Sequence, residues 1–232
     1  MQIKNSVALV TGANRGIGAE FVRQLKARGA SKVYAASRTA GTAEGSEGVE
    51  QVVLDVTDDA QIRAVTVSAG DVDLLINNAG IASGAELLSG DIDTVRHELE
   101  TNLFGVLKLT RAFAPVLAAN GGGAILNVLS AVSWLTARGA SSYAMSKAAA
   151  WSLTDATRLE LADQGTQVVG LHVALVDTDM TAELDAPKSS PTTVVAAALD
   201  GIEAGATEVV ADELTARIKT SLGLSPAERY AS

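Results

Sequence analysis

Short apolar runs alternate along this chain with longer stretches in which apolar residues recur every three to four positions. Most of the short runs are apolar along their whole length rather than at every second residue, which is typical of parallel strands covered on both faces. We predict strands in the runs 7–10, 32–37, 50–54, 72–76, 124–129 and 168–173, with a short strand at 208–210.

The Ala-rich stretches between these runs carry the helical period. They predict helices at 15–27, 58–67, 91–119, 142–162, 192–204 and near 212–222. The alternation of strands and helices predicts a single α/β domain over 1–232, a Rossmann-like doubly wound parallel sheet with helices on both faces. One long irregular stretch, 177–191, contains Pro187 and Pro191 and is a candidate substrate lid.

Composition narrows the classes of partner. The 232 residues are 47% hydrophobic and carry a net charge of -9, so we expect neither nucleic acid nor an anionic membrane surface as a partner. The first apolar run is too short for a signal peptide, and Pro115 with the glycines at 121–123 interrupts the longest uncharged stretch. We therefore expect a cytoplasmic protein without a membrane span.

Metal and thiol chemistry are disfavoured. The chain has no cysteine, which excludes disulfides, thiolate metal sites and a cysteine nucleophile. His97 and His172 are far apart without metal-ligand spacing, so we predict structural roles for both and no metal site. The acids Asp91, Asp93, Glu98 and Glu100 are interpreted as a solvated helix start and face.

A glycine-rich turn follows the first predicted strand. Gly12 permits the sharp turn, Gly16 lets backbone amides approach a pyrophosphate, and Gly18 lets the helix pack closely on the sheet. The helix N-terminus adds donors and partial positive charge. An ordinary βα turn is the alternative, but the position between a strand and an amphipathic helix favours nucleotide binding.

A second constellation opens a later helix. Tyr143 and Lys147 are four residues apart and share one helix face, where an ammonium would favour ionisation of the phenol. Such a pair is ordinarily a solvated surface. Ser130, however, ends the preceding strand, at the sheet edge where α/β folds bind ligands. Ser133 lies near the same strand end and is a rival hydroxyl.

Together with Asp55 after the third strand, Asn77-Asn78-Ala79-Gly80 after the fourth and Asn102 in the long helix, these motifs resemble the short-chain dehydrogenase/reductase family over nearly the whole chain. The resemblance implies that Tyr143 is the general acid in reduction and the base in oxidation. It implies that Ser130 bonds the substrate oxygen and that Lys147 binds the nicotinamide ribose and lowers the pKa of Tyr143. Asn102 would hold a relay water, or would simply bond its neighbours as a buried helix residue.

The resemblance also implies a dinucleotide site. Asp55 would contact the adenine, and the 78–80 turn would line the central part of the cofactor. One departure from the family is Val173-Ala174 in place of the usual Pro-Gly, which leaves the path of the following loop open. The full set of implied cofactor-binding residues is Gly12, Asn14, Arg15, Gly16, Ile17, Gly18, Ser37, Arg38, Asp55, Val56, Asn78, Ala79, Gly80, Tyr143, Lys147, Val176 and Thr178.

The end of the second strand predicts NADP(H) as the cofactor. An acidic side chain there usually bonds the ribose hydroxyls of NADH, and this chain instead has Ser37 and Arg38. Arg15 lies at the mouth of the same pocket, so two guanidinium groups could hold a 2′-phosphate.

We therefore predict an NADPH-dependent oxidoreductase that transfers hydride between the cofactor and a carbonyl or secondary alcohol. A nucleotide-sensing or scaffold protein on the same fold is the alternative, since fold alone does not decide function. An epimerase or dehydratase is less expected, because such relatives usually carry a larger C-terminal part. A small-molecule substrate is implied, and its apolar wall could include Trp134, Leu135, Leu175, Met180 and Leu184.

Two of the predicted helices, 91–119 and 142–162, carry apolar residues on more than one face, which indicates a homodimer or homotetramer. The residues in question are Leu103, Val106, Leu109, Ala149, Leu153 and Ala156.

Overall fold

The computed structural model describes residues 1–39 and 47–230, in which seven strands form one parallel sheet. Its order is β3-β2-β1-β4-β5-β6-β7, and every neighbouring pair is parallel. The doubly wound fold predicted from the apolar runs is confirmed. The strands are β1 (Val7–Thr11), β2 (Lys32–Ser37), β3 (Val49–Val53), β4 (Leu74–Asn77), β5 (Ala124–Val128), β6 (Gln167–His172) and β7 (Glu208–Val210).

Helices cover both faces of the sheet, which explains why the central strands are apolar throughout. The helices α1 and α6 share one buried apolar cluster with the sheet, and α2 and α4 share the other. Their bounds are α1 (Gly16–Ala27), α2 (Asp59–Ser68), α3 (Ile92–Leu99), α4 (Gly105–Ala119), α5 (Ser141–Glu160), α6 (Pro191–Glu203), α7 (Glu213–Thr220) and α8 (Pro226–Arg229).

The predicted helix 91–119 is interrupted. A π-helical turn, Glu100–Phe104, separates α3 from α4 and contains Asn102. Such turns occur frequently at functional sites. The run Ile92–Ala119 is long and apolar enough to cross a membrane, with a mean hydropathy of 1.2. Its apolar face is nevertheless part of the core, because Leu109, Phe113 and Leu117 are buried in the cluster beneath α4.

Two details differ from the sequence-based expectation. Val106 and Leu109 are buried inside the protomer, so they cannot contribute to a second apolar face. Leu103, Ala149 and Leu153 remain half-buried, and Ala156 is exposed. The short helix α8 was not predicted, because four residues are too few to show a helical period; a capping box between Ser225 and Glu228 fixes its start.

Candidate active site

The candidate site lies at the carboxyl edge of the sheet, where β1 separates two strands of different chain order. β1 pairs with β2 on one side and with β4 on the other, which makes this point the topological switch of the fold. Open α/β sheets bind ligands in the crevice outside this point. The turns after β1 and β4 therefore lie side by side at the expected crevice.

The glycine-rich turn has the shape that its sequence predicts. Gly12 and Gly16 adopt φ values of 66° and 55°, which favour glycine. A Cβ on Gly18 would lie 2.1 Å from the carbonyl oxygen of Gly12, so only glycine lets α1 begin this close to β1. Arg15 occupies the N-cap of α1 without a side-chain cap, which leaves the first amides of the helix available to an anion.

Thr11 joins this turn to the turn after β4. Its Oγ1 accepts hydrogen bonds from the backbone N of both Asn78 and Ala79, each at 3.0 Å. The Asn78 side chain returns a bond from Nδ2 to the Thr11 carbonyl at 2.8 Å. Thr11 was not predicted as a site residue; its position directly before Gly12 was the available signal.

Ser37 and Arg38, at the end of β2, differ in their exposure to solvent. Ser37 is buried, and its hydroxyl donates to the Thr39 carbonyl at 2.6 Å, while Arg38 is exposed. Arg15 donates to Asp179 at 2.9 Å in an exposed ion pair, which was not predicted from the sequence. Asn14 is exposed beside it, and Ile17 packs against the core.

Asp55 and Val56, which were predicted to contact the cofactor, follow β3. Asp55 accepts bonds at Oδ1 from the backbone N of Thr57 at 2.9 Å and from its hydroxyl at 2.7 Å. Val56 is buried and fits against Gly105, where a Cβ would lie 2.8 Å from the Val56 Cγ2. The placement of Val56 therefore depends on the start of α4.

Ser130 and Ser133, the two rival hydroxyls, have different roles. Ser133 lies in a short 3₁₀ turn and its Oγ accepts from the backbone N of Ser130 at 3.2 Å, a capping contact. The Ser130 hydroxyl caps the same turn, accepting from the Val132 N at 3.3 Å and donating to the Val173 carbonyl at 3.4 Å, and its hydrogen bond to Tyr143 also lowers the pKa of that phenol. The contact with Tyr143 distinguishes Ser130 from Ser133.

Tyr143 and Lys147 lie on the first turns of α5, and Lys147 is buried. The Lys147 Nζ lies 5.7 Å from the centre of the Tyr143 ring and donates to the Val128 carbonyl at 2.8 Å. Burial raises the pKa of Tyr143 to about 12 and lowers the pKa of Lys147 to about 8. The lowering of the Tyr143 pKa by Lys147, implied by the family resemblance, is therefore not found among the protein groups alone.

Asn102 bonds its neighbours, as the simpler of its two interpretations expected. Its Nδ2 donates to the Ile81 carbonyl at 2.8 Å and to the Ser146 hydroxyl at 2.9 Å, and its Oδ1 accepts from the Ile81 N at 2.9 Å. Gly80 lies against it and against Lys147. The side chain thus holds the turn after β4 beside α5.

Asp212, at the start of α7, fixes the segment after β6. Its Oδ2 accepts from the backbone N of Ala174 at 2.8 Å, at the position where the family usually has Gly. The same carboxylate caps α7 through Thr215. No short-range pattern connects Asp212 with Ala174, so this contact could not be predicted from the sequence.

The irregular stretch 177–191 begins and ends at one place. Val176 and Ser189 form a bridge, and Asp177 N donates to the Ser189 carbonyl at 2.9 Å. Thr178 touches the glycine-rich turn, since a Cβ on Gly16 would lie 3.2 Å from the Thr178 Cγ2. The segment therefore lies beside the expected pyrophosphate position.

Aromatic residues support the floor of the site. The Trp134 ring stacks on His172 with 3.9 Å between the ring centres, and the His172 Nδ1 lies 3.2 Å from the Ser130 carbonyl oxygen. Trp134 is therefore mainly packed against protein, whereas Met180 and Leu184 are half exposed. Burial lowers the pKa of His172 to about 4.

The interpretation of Glu98 as a solvated face residue was wrong. Glu98 has no exposed surface and bonds Ser83, because the helix turns this face toward the loop after β4. His97 is exposed on the other side of α3. Within residues 1–39 and 47–230, no group of three or more His, Asp or Glu side chains could hold a metal ion.

Comparison with known proteins decides the family. Residues 6–189 match the family model described as short chain dehydrogenase. The chain belongs to the short-chain dehydrogenase family. It is 31% identical over 193 residues to a 3-oxoacyl-[acyl-carrier-protein] reductase of Vibrio harveyi, covering 80% of this chain and 79% of that protein.

Two further members of the short-chain dehydrogenase family are similar. A galactitol 2-dehydrogenase (L-tagatose-forming) of Cereibacter sphaeroides is 35% identical over 193 residues, covering 79% of this chain and 76% of the other. The crystal structure of a short chain dehydrogenase from Burkholderia cenocepacia J2315, in complex with NADP, is 38% identical with a TM-score of 0.95. That match covers 100% of this chain and 98% of the other.

Proposed function

We propose that this short-chain dehydrogenase is an NADPH-dependent reductase that transfers hydride from the cofactor to the carbonyl carbon of a ketone or aldehyde. In the reverse direction, hydride would pass from a secondary alcohol to the oxidised cofactor. The observation that carries the proposal is the Ser130, Tyr143 and Lys147 group at the carboxyl edge of the sheet. Lys147 adjoins Gly80 in the turn after β4, and this turn in its own right adjoins Gly12. A sensor or scaffold protein has no need of a proton donor at that position.

The residues fit a dinucleotide. The positive φ of Gly12 and Gly16 and the close approach at Gly18 leave no room for side chains between β1 and α1. The uncapped start of α1 would hold the diphosphate, and Asp55 with Val56 would line the adenine. The other residues that would contact the cofactor are Asn78, Ala79, Gly80, Tyr143, Lys147, Val176 and Thr178. When bound, the reduced cofactor supplies the hydride.

Tyr143 acts as the proton donor in this scheme. With a pKa of about 12, its phenol is protonated at neutral pH, which favours the reductive direction. Ser130 would donate a hydrogen bond to the carbonyl oxygen of the substrate and hold it beside the phenol. Lys147, with a pKa of about 8, would carry an ammonium that bonds the ribose hydroxyls and favours negative charge developing on the oxygen.

The preference for NADPH rests on charge. Arg38 is exposed at the end of β2, and Arg15 stands at the start of α1. Guanidinium groups there would bind a 2′-phosphate through charge-assisted bonds, although Arg15 must exchange its partner Asp179 to do so. The NADP bound to the Burkholderia cenocepacia relative supports the same choice.

Substrate class and assembly are also proposals. The names of the relatives, a 3-oxoacyl reductase and a galactitol 2-dehydrogenase, support chemistry at a ketone or secondary alcohol. We propose that residues 1–232 act as one domain and that 177–191 is a lid whose exposed Met180 and Leu184 cover the substrate. A homodimer or homotetramer would use the surface of α4 and α5.

The test is an NADPH-oxidation screen across a carbonyl panel that contains 3-oxoacyl thioesters, keto sugars and simple aryl ketones. Turnover on one class, with the alcohol identified as product, is the expected result. The Tyr143→Phe variant should lose it, whereas Tyr34→Phe, which removes a phenol hydroxyl bonded to Asp71 elsewhere, should not. Tight NADPH binding without turnover on any carbonyl would support the sensor instead.

A further inference from the structure

Glu98 is a buried acid that the proposed reaction does not use. It has no exposed surface, although its neighbours Arg96 and His97 on α3 are exposed. Its Oε1 accepts from the backbone N of Ser83 at 2.8 Å, and its Oε2 accepts from the Ser83 hydroxyl at 3.2 Å. Both oxygens therefore accept, as those of an ionised carboxylate do. An ion is costly to bury, so this position requires a compensating partner.

The bonds of Glu98 hold a segment that reaches the active site. We call residues 80–85 the 80–85 segment. At its start, a Cβ on Gly80 would lie 3.2 Å from the Asn102 Oδ1 and 3.6 Å from the Lys147 Nζ. The next residue, Ile81, is bonded to Asn102 through both its N and its carbonyl. The first half of the segment is therefore fixed against Lys147 by Asn102.

Glu98 fixes the second half in the same way. It lies four residues before Asn102 and receives both bonds from Ser83, while the Ala85 carbonyl accepts from the backbone N of Ser142 at 3.3 Å. Ser142 directly precedes Tyr143. Asn102 and Glu98 thus attach two successive parts of the 80–85 segment to the helix run that faces the start of α5.

The charge of Glu98 acts on both functional groups of α5. Its carboxylate adds to burial in raising the pKa of Tyr143, and it opposes burial in the case of Lys147, whose pKa it raises. The 80–85 segment has no charged side chain and bonds Glu98 through the Ser83 amide and hydroxyl. On β6, His172 is affected by Lys147 in turn. Both effects favour a neutral phenol and a charged ammonium.

We propose that Glu98 is a positioning residue of this active site, whose buried carboxylate fixes the 80–85 segment against α5 and keeps a negative charge beside Tyr143 and Lys147. Its consequence for catalysis rests on the proposed reductase function, because a phenol and an ammonium are the forms that reduction needs. The position of Glu98 and its bonds to Ser83 belong to the ligand-free protein and do not depend on that function.

The test compares Glu98→Gln with Glu100→Gln by NMR titration of Lys147 in the ligand-free protein, with Lys147→Arg used to assign the signal. Gln keeps an oxygen for the Ser83 amide, removes the charge, and replaces the second oxygen with an NH2 group that can donate to the Ser83 hydroxyl. Glu100 is the matched control, since its carboxylate pairs with Lys108 at 2.6 Å instead. We expect Glu98→Gln to lower the titration midpoint of Lys147 by about one unit, the size of a nearby-charge effect, and Glu100→Gln to leave it unchanged.

A folded Glu98→Gln with the wild-type midpoint would overturn the proposal. If Glu98→Gln does not fold, Ser83→Ala decides, because Ser83 is exposed and loses only the hydroxyl bonds that join it to Glu98 and to the Ala85 amide, while its own amide still donates to Glu98. Amide exchange at 81–83 should then accelerate about tenfold, and unchanged exchange would contradict the proposal.

A second readout applies if the enzyme turns over a carbonyl substrate. The pH above which reduction slows should then be about one unit lower in Glu98→Gln than in the wild type. Absence of turnover would reject the reductase proposal while the NMR result still decides the role of Glu98.

Discussion

Acid should destabilise this protein through His172 in a way that a single substitution isolates. Burial lowers the pKa of His172 from 6.5 to about 4. A group whose folded pKa is depressed contributes stability above its unfolded pKa, and this stability is lost as the pH falls toward the folded value. The folded and unfolded pKa values, about 4 and 6.5, imply that the free energy of unfolding falls by roughly 3 kcal/mol in all as the pH drops below 4. About 2 kcal/mol of this loss occurs between pH 7 and pH 5.

The matched variant is His172→Phe, which keeps a ring to stack on Trp134 and cannot titrate. Urea unfolding at several pH values, followed by tryptophan fluorescence, reports directly on this region, because Trp134 and Trp151 both contact His172 and are the two tryptophans of the chain. Between pH 7 and pH 5 the wild type should lose about 2 kcal/mol more than the variant. Equal losses in the two proteins would refute the assignment of a neutral, buried His172.

Three further predictions concern the cofactor turn, cofactor choice and assembly. Gly18→Ala should weaken NADPH binding at least about a hundredfold in calorimetry, because its Cβ would lie 2.1 Å from the Gly12 carbonyl oxygen, whereas Gly70→Ala, with its nearest atom at 3.8 Å, should have no effect. Arg38→Ala should lower the ratio of kcat/KM for NADPH over NADH roughly tenfold or more, and an unchanged ratio would remove Arg38 from the phosphate site. Leu153→Glu, on the open face of α5, should convert a dimer or tetramer into a monomer in light scattering; a monomeric wild type would contradict the proposed assembly.

The sequence was most informative where short-range pattern and long-range burial agree. Parallel strands covered on both faces must be apolar throughout, so the sheet could be predicted strand by strand, and the glycine-rich turn followed from its place between β1 and α1. Tyr143 and Lys147 could be paired because the helical period alone places them on one face.

Contacts between distant segments could not be predicted in this way. Glu98 has the neighbours of a solvated residue, and only the path of the loop after β4 buries it. Asp212 is bonded to Ala174, and Arg15 to Asp179, across separations that no periodic pattern reports. The π-helical turn around Asn102 could not be predicted either, because its residues continue the helical pattern on both sides.

In the proposed reaction, Tyr143 supplies the proton that accompanies hydride transfer. This role is tested most directly by the single-turnover rate of NADPH oxidation, measured with the best substrate from the carbonyl panel in wild type, Tyr143→Phe and Tyr34→Phe. We predict that Tyr143→Phe binds NADPH with nearly wild-type affinity and that its rate falls at least about a hundredfold, the usual size of a general-acid contribution, while Tyr34→Phe stays near the wild type. A Tyr143→Phe variant that oxidises NADPH at the wild-type rate would contradict the account.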